Sequence, residues 1–154
     1  MSRRAQITMT PEEVVAFLAE GTVANVATIG PNGRPHLVPL WYVPRGDLVE
    51  TWTYGTSQKA KNLRRLPQAT VLVEAGESYD QLRGVSMECD VELVEDTERV
   101  ARIGAELMRR YNANEQVATA ATQFVRVQAR KRIGLVFRPT GVVSWDHRKL
   151  GGTY

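Results

Sequence analysis

The sequence has very little cysteine, since its 154 residues include one, Cys89. A single thiol excludes an internal disulfide and a thiolate-rich metal site, and it is typical of a reducing compartment. Long apolar runs are also missing: none approaches the ~20 residues that a membrane helix needs, and the first residues lack the apolar stretch of an export signal. We therefore expect a cytoplasmic protein with no membrane partner.

A large excess of charge of one sign is missing too. The chain has 20 basic and 17 acidic residues, a formal charge of +3, which is too small to require a nucleic-acid partner. Its 43% hydrophobic content predicts one globular domain, residues 1–154, with a real core.

Few residues are of the types that usually carry catalysis or bind metals. The two histidines, His36 and His147, have no carboxylate cluster at metal-ligand spacing, so we expect no metal site. His36 is expected to end a hairpin strand and His147 to lie in an exposed polar tail, although His147 is also a candidate for binding or protonating a substrate. No nucleophile–base motif such as Gly-x-Ser-x-Gly occurs, and no residue is assigned a catalytic role. The chemistry is therefore expected to come from a bound cofactor.

The first half of the chain alternates between a helix signal and strand signals. Thr10-Pro11-Glu12-Glu13 is a capping box that predicts a helix ending at Gly21. A β-rich stretch from Val23 to Ile29 then leads into an Asn-Gly hairpin signal. The return strand is predicted from His36 to Val43, with Pro39 at an edge or bulge because proline cannot donate to a ladder. The next predicted elements are a strand from Leu48 to Tyr54 and a helix from Gln58 to Leu66.

The second half begins with a strand from Ala69 to Glu74. The strict alternation from Val85 to Leu93 predicts a half-buried strand with Cys89 on its apolar face. Two helices are predicted next, one capped by Asp96 and one over residues 115–127. Two closing strands, residues 133–137 and 142–145, are expected on either side of Pro139-Thr140-Gly141.

These elements predict a fold that is mainly β, of α+β type. Six or seven short strands with hairpin-like links indicate an antiparallel barrel with flanking helices. A Rossmann fold is disfavoured, because no Gly-x-Gly-x-x-Gly follows a strand.

One segment has the features of a phosphate cradle. A strand ends at a glycine turn, hydroxyl residues including Ser57 follow at a helix start, and Lys59 and Lys61 lie in the first turns. A helix start attracts anions, and lysine in a first turn opposes the helix dipole unless an anion is bound. The alternative is a solvated basic helix with an ordinary serine cap, and spacing alone does not separate the two.

Aromatic residues lie on two strands predicted to be neighbours. Trp41 and Tyr42 are on one, and Trp52 and Tyr54 are on the other. Such residues can frame a flat ring system, or they can fill the barrel or a subunit contact.

Two segments of the chain together carry a family resemblance. Gly33-Arg34-Pro35-His36-Leu37-Val38-Pro39-Leu40-Trp41-Tyr42 and Ser57-Gln58-Lys59-Ala60-Lys61-Asn62-Leu63-Arg64-Arg65 resemble the pyridoxamine 5'-phosphate oxidase-like family. More narrowly, they look like its actinobacterial branch of reductases that depend on the deazaflavin coenzyme F-420. The resemblance spans nearly the whole chain in element order.

The resemblance implies a six-stranded antiparallel split β-barrel and a homodimer with the cofactor at the subunit interface. It implies that the cofactor phosphate meets Lys59 near Ser57 and Gln58, and that Pro39, Leu40 and Trp41 run beside the cofactor ring. The strand with Trp52 and Thr53 approaches the same groove. The polyglutamate tail of coenzyme F-420 gives a reason for a cationic path through Lys61, Arg64 or residues 130–132.

The function implied is hydride transfer from reduced coenzyme F-420 to an electron-poor double bond of a small organic substrate. One alternative is a flavin mononucleotide (FMN)-dependent oxidoreductase of the same family. Another is a flavin or tetrapyrrole carrier without catalysis. A small nucleic-acid-binding barrel is a third alternative, which the modest net charge disfavours.

Overall fold

A computed structural model describes residues 2–152, except the side chain of Ala118. These residues form five α-helices and seven β-strands in one sheet. The elements in chain order are α1 (Arg3–Ile7), α2 (Pro11–Glu20), β1 (Ala24–Ile29), β2 (Pro35–Leu40), β3 (Val43–Arg45), β4 (Leu48–Tyr54), α3 (Gln58–Arg65), β5 (Gln68–Ala75), β6 (Arg83–Val94), α4 (Thr97–Tyr111), α5 (Glu115–Ala129) and β7 (Arg132–Asp146). Short 3-10 helices cover Tyr79–Gln81 and His147–Leu150.

All strand pairs in the sheet are antiparallel, in the order β2-β1-β5-β6-β7-β4-β3. The two edge strands, β2 and β3, are therefore neighbours in the chain, joined only by Trp41 and Tyr42. Because sheets twist as strands are added, this sheet curls until its two edges face each other. The predicted mainly antiparallel split barrel with flanking helices is confirmed, with seven strands in place of six.

The main core lies inside the curled sheet. Alternate residues of every long strand point inward, and α2 and α3 cover the open ends with Phe17, Leu18, Ala60 and Leu63. Cys89 belongs to this core, and burial raises the pKa of its thiol to about 12. The sequence-based placement of this cysteine in the core is confirmed.

The predicted return strand, His36 to Val43, is two strands in the structure. Pro39 lies in edge strand β2, as expected, but the ladder stops at Leu40. The side chain of Tyr42 is fully buried and its hydroxyl donates to the Leu18 carbonyl at 2.6 Å. This buried anchor breaks the strand and directs β3 to the opposite edge of the sheet.

The two predicted closing strands, residues 133–137 and 142–145, are one continuous strand. Strand β7 pairs with β4 through residues 132–137 and with β6 through residues 134–146. The expected interruption at Pro139-Thr140-Gly141 is instead a register shift opposite Glu88 and Cys89. A bulge absorbs the proline without reversing the chain.

The chain ends also differ from expectation. Helix α1 precedes the predicted first helix, and His147 belongs to a 3-10 helix rather than to an exposed tail. Its ring lies against Tyr79 with centroids 4.6 Å apart. Within residues 2–152, no helix is long and apolar enough to cross a bilayer.

Candidate functional site

An open groove of about 360 Å³ lies where the two sheet edges approach each other. Three elements form it: the end of β2 with the link that follows, the middle of β4, and the last part of α4. Its lining residues are Pro39, Leu40, Trp41, Thr51, Trp52, Leu107 and Met108. The groove therefore brings together four residues that the sequence singled out, namely Pro39, Leu40, Trp41 and Trp52.

Trp41 is fixed although its side chain is half exposed. Its ring stacks on Tyr111 with centroids 4.5 Å apart and planes 3° from parallel. Its carbonyl accepts a 2.7 Å hydrogen bond from the hydroxyl of Thr51. The Tyr111 hydroxyl in turn accepts from the backbone N–H of Tyr42 at 3.0 Å and donates to the Thr22 carbonyl at 2.7 Å. These contacts give the groove a rigid aromatic wall on one side.

Trp52 forms part of the opposite wall and is packed tightly under α4. A Cβ atom built on Gly104 would lie 2.6 and 2.7 Å from Cη2 and Cε3 of its ring, so only glycine lets the helix approach this closely. The Arg132 guanidinium carbon lies 4.5 Å from the same ring's centroid. Trp52 thus touches both the groove and a basic residue beyond it.

Arg132 is held by aromatic rings. It is paired with Tyr54 across the β4–β7 ladder, and its guanidinium carbon lies 4.1 Å from the Tyr54 ring centroid. Its Nε is buried without a hydrogen-bond acceptor, and it forms no salt bridge within residues 2–152. Cation–π contacts stabilise such a residue, but its charge is not compensated by a carboxylate.

Lys59 is the second cation of this region. Its side chain is partly buried, and burial together with repulsion from Arg132 lowers its pKa. Like Arg132, it has no carboxylate partner in the part of the chain that the structure describes. We call these two residues the Lys59–Arg132 pair. Two cations without a carboxylate partner give this region a local excess of positive charge, which favours an anion.

The hydroxyl of Ser57, which the resemblance places near the cofactor phosphate, contacts the hydroxyl of Thr53. The Oγ atoms of Thr53 and Ser57 lie 3.2 Å apart, and Ser57 Oγ also accepts from the Ala60 N–H at 3.3 Å as the N-cap of α3. Thr53 is buried on the inner side of β4. Ser57 lies at the start of α3, two positions before Lys59, and the hydroxyl of Thr53 contacts its side chain.

Three other candidates do not line the groove. Gln58 donates to Asn62 at 2.8 Å along α3. Arg64 donates to the Gly55 carbonyl at 2.6 Å and forms a salt bridge with Glu95, so its charge is already compensated. Lys61 is exposed on α3. The cationic path through Lys61, Arg64 or residues 130–132 that the resemblance implies stays a prediction.

Sequence reasoning missed part of this site. The helix predicted after Asp96 contains Leu107 and Met108, but a helical pattern does not say which residues border a groove. For Arg132, the resemblance implies only a place in the basic cluster of residues 130–132. The available signal was the spacing along β7. Arg132 and Gly134 are two residues apart and share one face of the sheet, and the β4–β7 register places Trp52 and Tyr54 on that same face.

The fold and the groove define a small antiparallel split barrel with an aromatic groove between its sheet edges. The family model described as pyridoxamine 5'-phosphate oxidase matches residues 10–145. The chain belongs to this family of split barrels.

Solved structures agree with this membership. The conserved hypothetical protein Rv2991 from Mycobacterium tuberculosis is 37% identical, and the match covers 100% of this chain and 95% of that one with a TM-score of 0.88. An F420 reductase shares the fold at 21% identity, with 82% of this chain and 93% of that chain covered and a TM-score of 0.65. The haem storage protein HutZ from Vibrio cholerae does so at 18% identity, with 86% and 93% covered and a TM-score of 0.64.

Proposed function

We propose that this protein is an oxidoreductase that uses coenzyme F-420 to transfer hydride to a small organic substrate. The observation that carries the proposal is the contact through Trp52, which joins the groove to the Lys59–Arg132 pair. A flat ring in the groove and an acidic group at the cation pair would belong to one molecule. The fold shared with an F420 reductase supports this cofactor.

The residues present fit such a cofactor. Trp41 offers an aromatic ring to a planar cofactor, and Trp52, Leu107 and Met108 exclude water beside it. Lys59 would hold the phosphate, and Ser57 at the start of α3 would add a polar contact. The bound cofactor would supply the hydride. The chain's own role is to hold the ring against the groove and to fix the orientation of its acidic end.

A homodimer is the second part of the proposal. Strands β1, β2 and β7 expose apolar side chains on the outer sheet face. The exposed fractions are 66% for Leu37, 47% for Val143 and 38% for Ile29. A shallow cavity of about 430 Å³ on the same face is lined in part by Ala27, Ile29 and Pro35. A second copy packed here would remove this apolar surface from water.

FMN is the alternative cofactor, since its ring would fit the same groove and its phosphate would bind the same cation pair. A non-catalytic tetrapyrrole carrier is less well supported. Neither His36 nor His147 lines the groove, so it lacks the imidazole that commonly ligates haem iron.

The test is to add coenzyme F-420 and then FMN to the apo-protein and to measure both dissociation constants by fluorescence titration. Binding of F-420, followed by turnover of a quinone or enone panel with the reduced cofactor, would support the proposal. Micromolar FMN binding without F-420 binding would reverse the cofactor, and binding without turnover would favour a carrier.

Lys59→Ala should weaken binding of either cofactor by ~1.5–3 kcal/mol, because the lysine makes a charge-assisted bond. Lys61→Ala is the matched control with FMN, since Lys61 is exposed on the same helix. An unchanged FMN affinity in Lys59→Ala would remove Lys59 from the site.

A further inference from the structure

Arg110 is a partly buried cation near the groove, two positions after the lining residue Met108. Its Nη2 donates to the carbonyls of Ala19 at 3.0 Å and of Gly21 at 2.5 Å, at the end of α2. It forms no salt bridge within residues 2–152. Helix α2 has no basic residue in its own last turn, so Arg110 supplies the cation that the negative end of a helix dipole favours.

The same end of α2 is bound by two tyrosines that contact Arg110. The guanidinium carbon lies 5.2 Å from the ring centroid of Tyr42 and 5.7 Å from that of Tyr111, within the range of cation–π attraction. The Tyr42 hydroxyl donates to the Leu18 carbonyl, and the Tyr111 hydroxyl donates to the Thr22 carbonyl at 2.7 Å. Three side chains from outside α2 therefore bind carbonyls at a helix end, where the helix itself leaves them without partners.

Tyr111 connects this anchor to the groove. Its ring stacks on Trp41 with centroids 4.5 Å apart, and its hydroxyl also accepts from the backbone N–H of Tyr42 at 3.0 Å. The hydroxyl end of Tyr111 is therefore fixed by backbone groups, while its ring covers one face of Trp41. A flat ligand ring laid on the remaining face of Trp41 would extend the stack from two rings to three.

A fixed tryptophan binds a ring better than a mobile one. Trp41 is 54% exposed, and the aromatic ring that it contacts within residues 2–152 is that of Tyr111. A ligand that has to order an exposed side chain loses part of its binding free energy to that ordering, and a side chain that is already ordered avoids the loss. Arg110 can therefore affect ligand affinity without touching the ligand.

We propose that Arg110 is a positioning residue, which anchors Tyr111 to the end of α2 and so holds Trp41 in the orientation that a flat ring requires. The fixing of Trp41 stands on these contacts alone. Its effect on ligand affinity rests on the proposed function, in which the cofactor ring lies against Trp41.

The orientation of Trp41 is measured without a ligand, by fluorine NMR of the protein labelled with 5-fluorotryptophan. Phenylalanine in place of each tryptophan in turn assigns the three resonances, and Tyr111→Leu gives the resonance of an unstacked Trp41. Arg110→Met removes the charge and the donors. In this variant the Trp41 resonance should move towards the unstacked position, because the ring current of Tyr111 no longer acts at a fixed distance. The resonance of Trp145, which packs on Gly84, should not move.

Ligand affinity is measured with coenzyme F-420 and, in parallel, with FMN. Arg110→Met should raise the dissociation constant about three- to tenfold, the cost of ordering one side chain. Arg110→Lys, which keeps the charge at the end of α2, should recover part of the affinity. Arg109→Met, at an exposed position of the same turn, should behave as the wild type. In a Tyr111→Leu background Arg110→Met should have no further effect, because Arg110 acts through the stack.

Thermal unfolding verifies that each variant is folded. Tyr111→Phe, which removes the hydroxyl anchor but keeps the ring, tests the same route if Arg110→Met does not fold. A Trp41 resonance that does not move in the folded variant would overturn the proposal. A loss of affinity that is equal in both Tyr111 backgrounds, or no loss at all, would overturn it as well. If neither cofactor binds the wild type, the proposed function fails, and the fluorine spectra still decide whether Arg110 fixes Trp41.

Discussion

Gly104→Ala measures how closely α4 approaches the groove wall. The new methyl group would lie 2.6 Å from Cη2 and 2.7 Å from Cε3 of Trp52, against an ordinary carbon–carbon contact near 3.5 Å or more. Either the ring or the helix must therefore move by about 1 Å. Overpacking of this kind costs ~1–3 kcal/mol. Because alanine gains ~1 kcal/mol over glycine inside a helix, we expect a net loss of ~0–2 kcal/mol in the free energy of unfolding.

The same substitution in a Trp52→Phe background separates these two contributions. Phenylalanine lacks the outer indole atoms that the methyl group meets, so Gly104→Ala should there be neutral or stabilising by up to ~1 kcal/mol. Urea unfolding of the four proteins gives the coupling free energy directly, and we expect ~1–3 kcal/mol. An equal effect of Gly104→Ala in both backgrounds would refute the close approach of α4 to Trp52.

Three further predictions concern the scaffold. Tyr42→Phe should lower the free energy of unfolding by ~1 kcal/mol in urea, because the Leu18 carbonyl loses its 2.6 Å hydrogen bond; an unchanged midpoint would contradict this. Hydrogen bonds from Arg148 lower the pKa of Asp146 below its usual 3.8, so Asp146→Asn should destabilise the protein at pH 7. The difference should shrink as pH falls through the lowered value, and a constant difference down to pH 2 would refute it. Since burial raises the pKa of Cys89 to about 12, a thiol reagent at pH 8 should label it only at the rate of unfolding, whereas rapid labelling of the folded protein would exclude a buried thiol.

The sequence predicted correctly the elements that are marked by a local signal, such as a turn or a helix cap. Strand β4 covers Leu48–Tyr54, the predicted range, because turn residues mark its start and a glycine follows its end. Helix α4 begins after Asp96, whose side chain accepts from the Arg99 N–H at 2.9 Å. A cap, a turn and an alternating pattern are properties of neighbouring residues, so one sequence is enough to read them.

The errors arose where distant residues decide the structure. Tyr42 breaks the return strand because its hydroxyl reaches Leu18, 24 positions away. Strand β7 continues past Pro139 because it stays paired with β6 and bulges at Thr140, opposite Glu88 and Cys89. Arg132 lies over Trp52 because the β4–β7 register puts the two residues on one face of the sheet. None of these partners can be chosen from spacing alone.

The short link between β2 and β3 has a consequence for how a ligand enters. The two outermost strands of the sheet are held near each other by the chain itself, through Trp41 and Tyr42, and by packing on α4 rather than by a ladder of hydrogen bonds. A molecule that slips between them separates no paired strands. A ligand can therefore enter between β2 and β3 while all hydrogen bonds between the paired strands are kept.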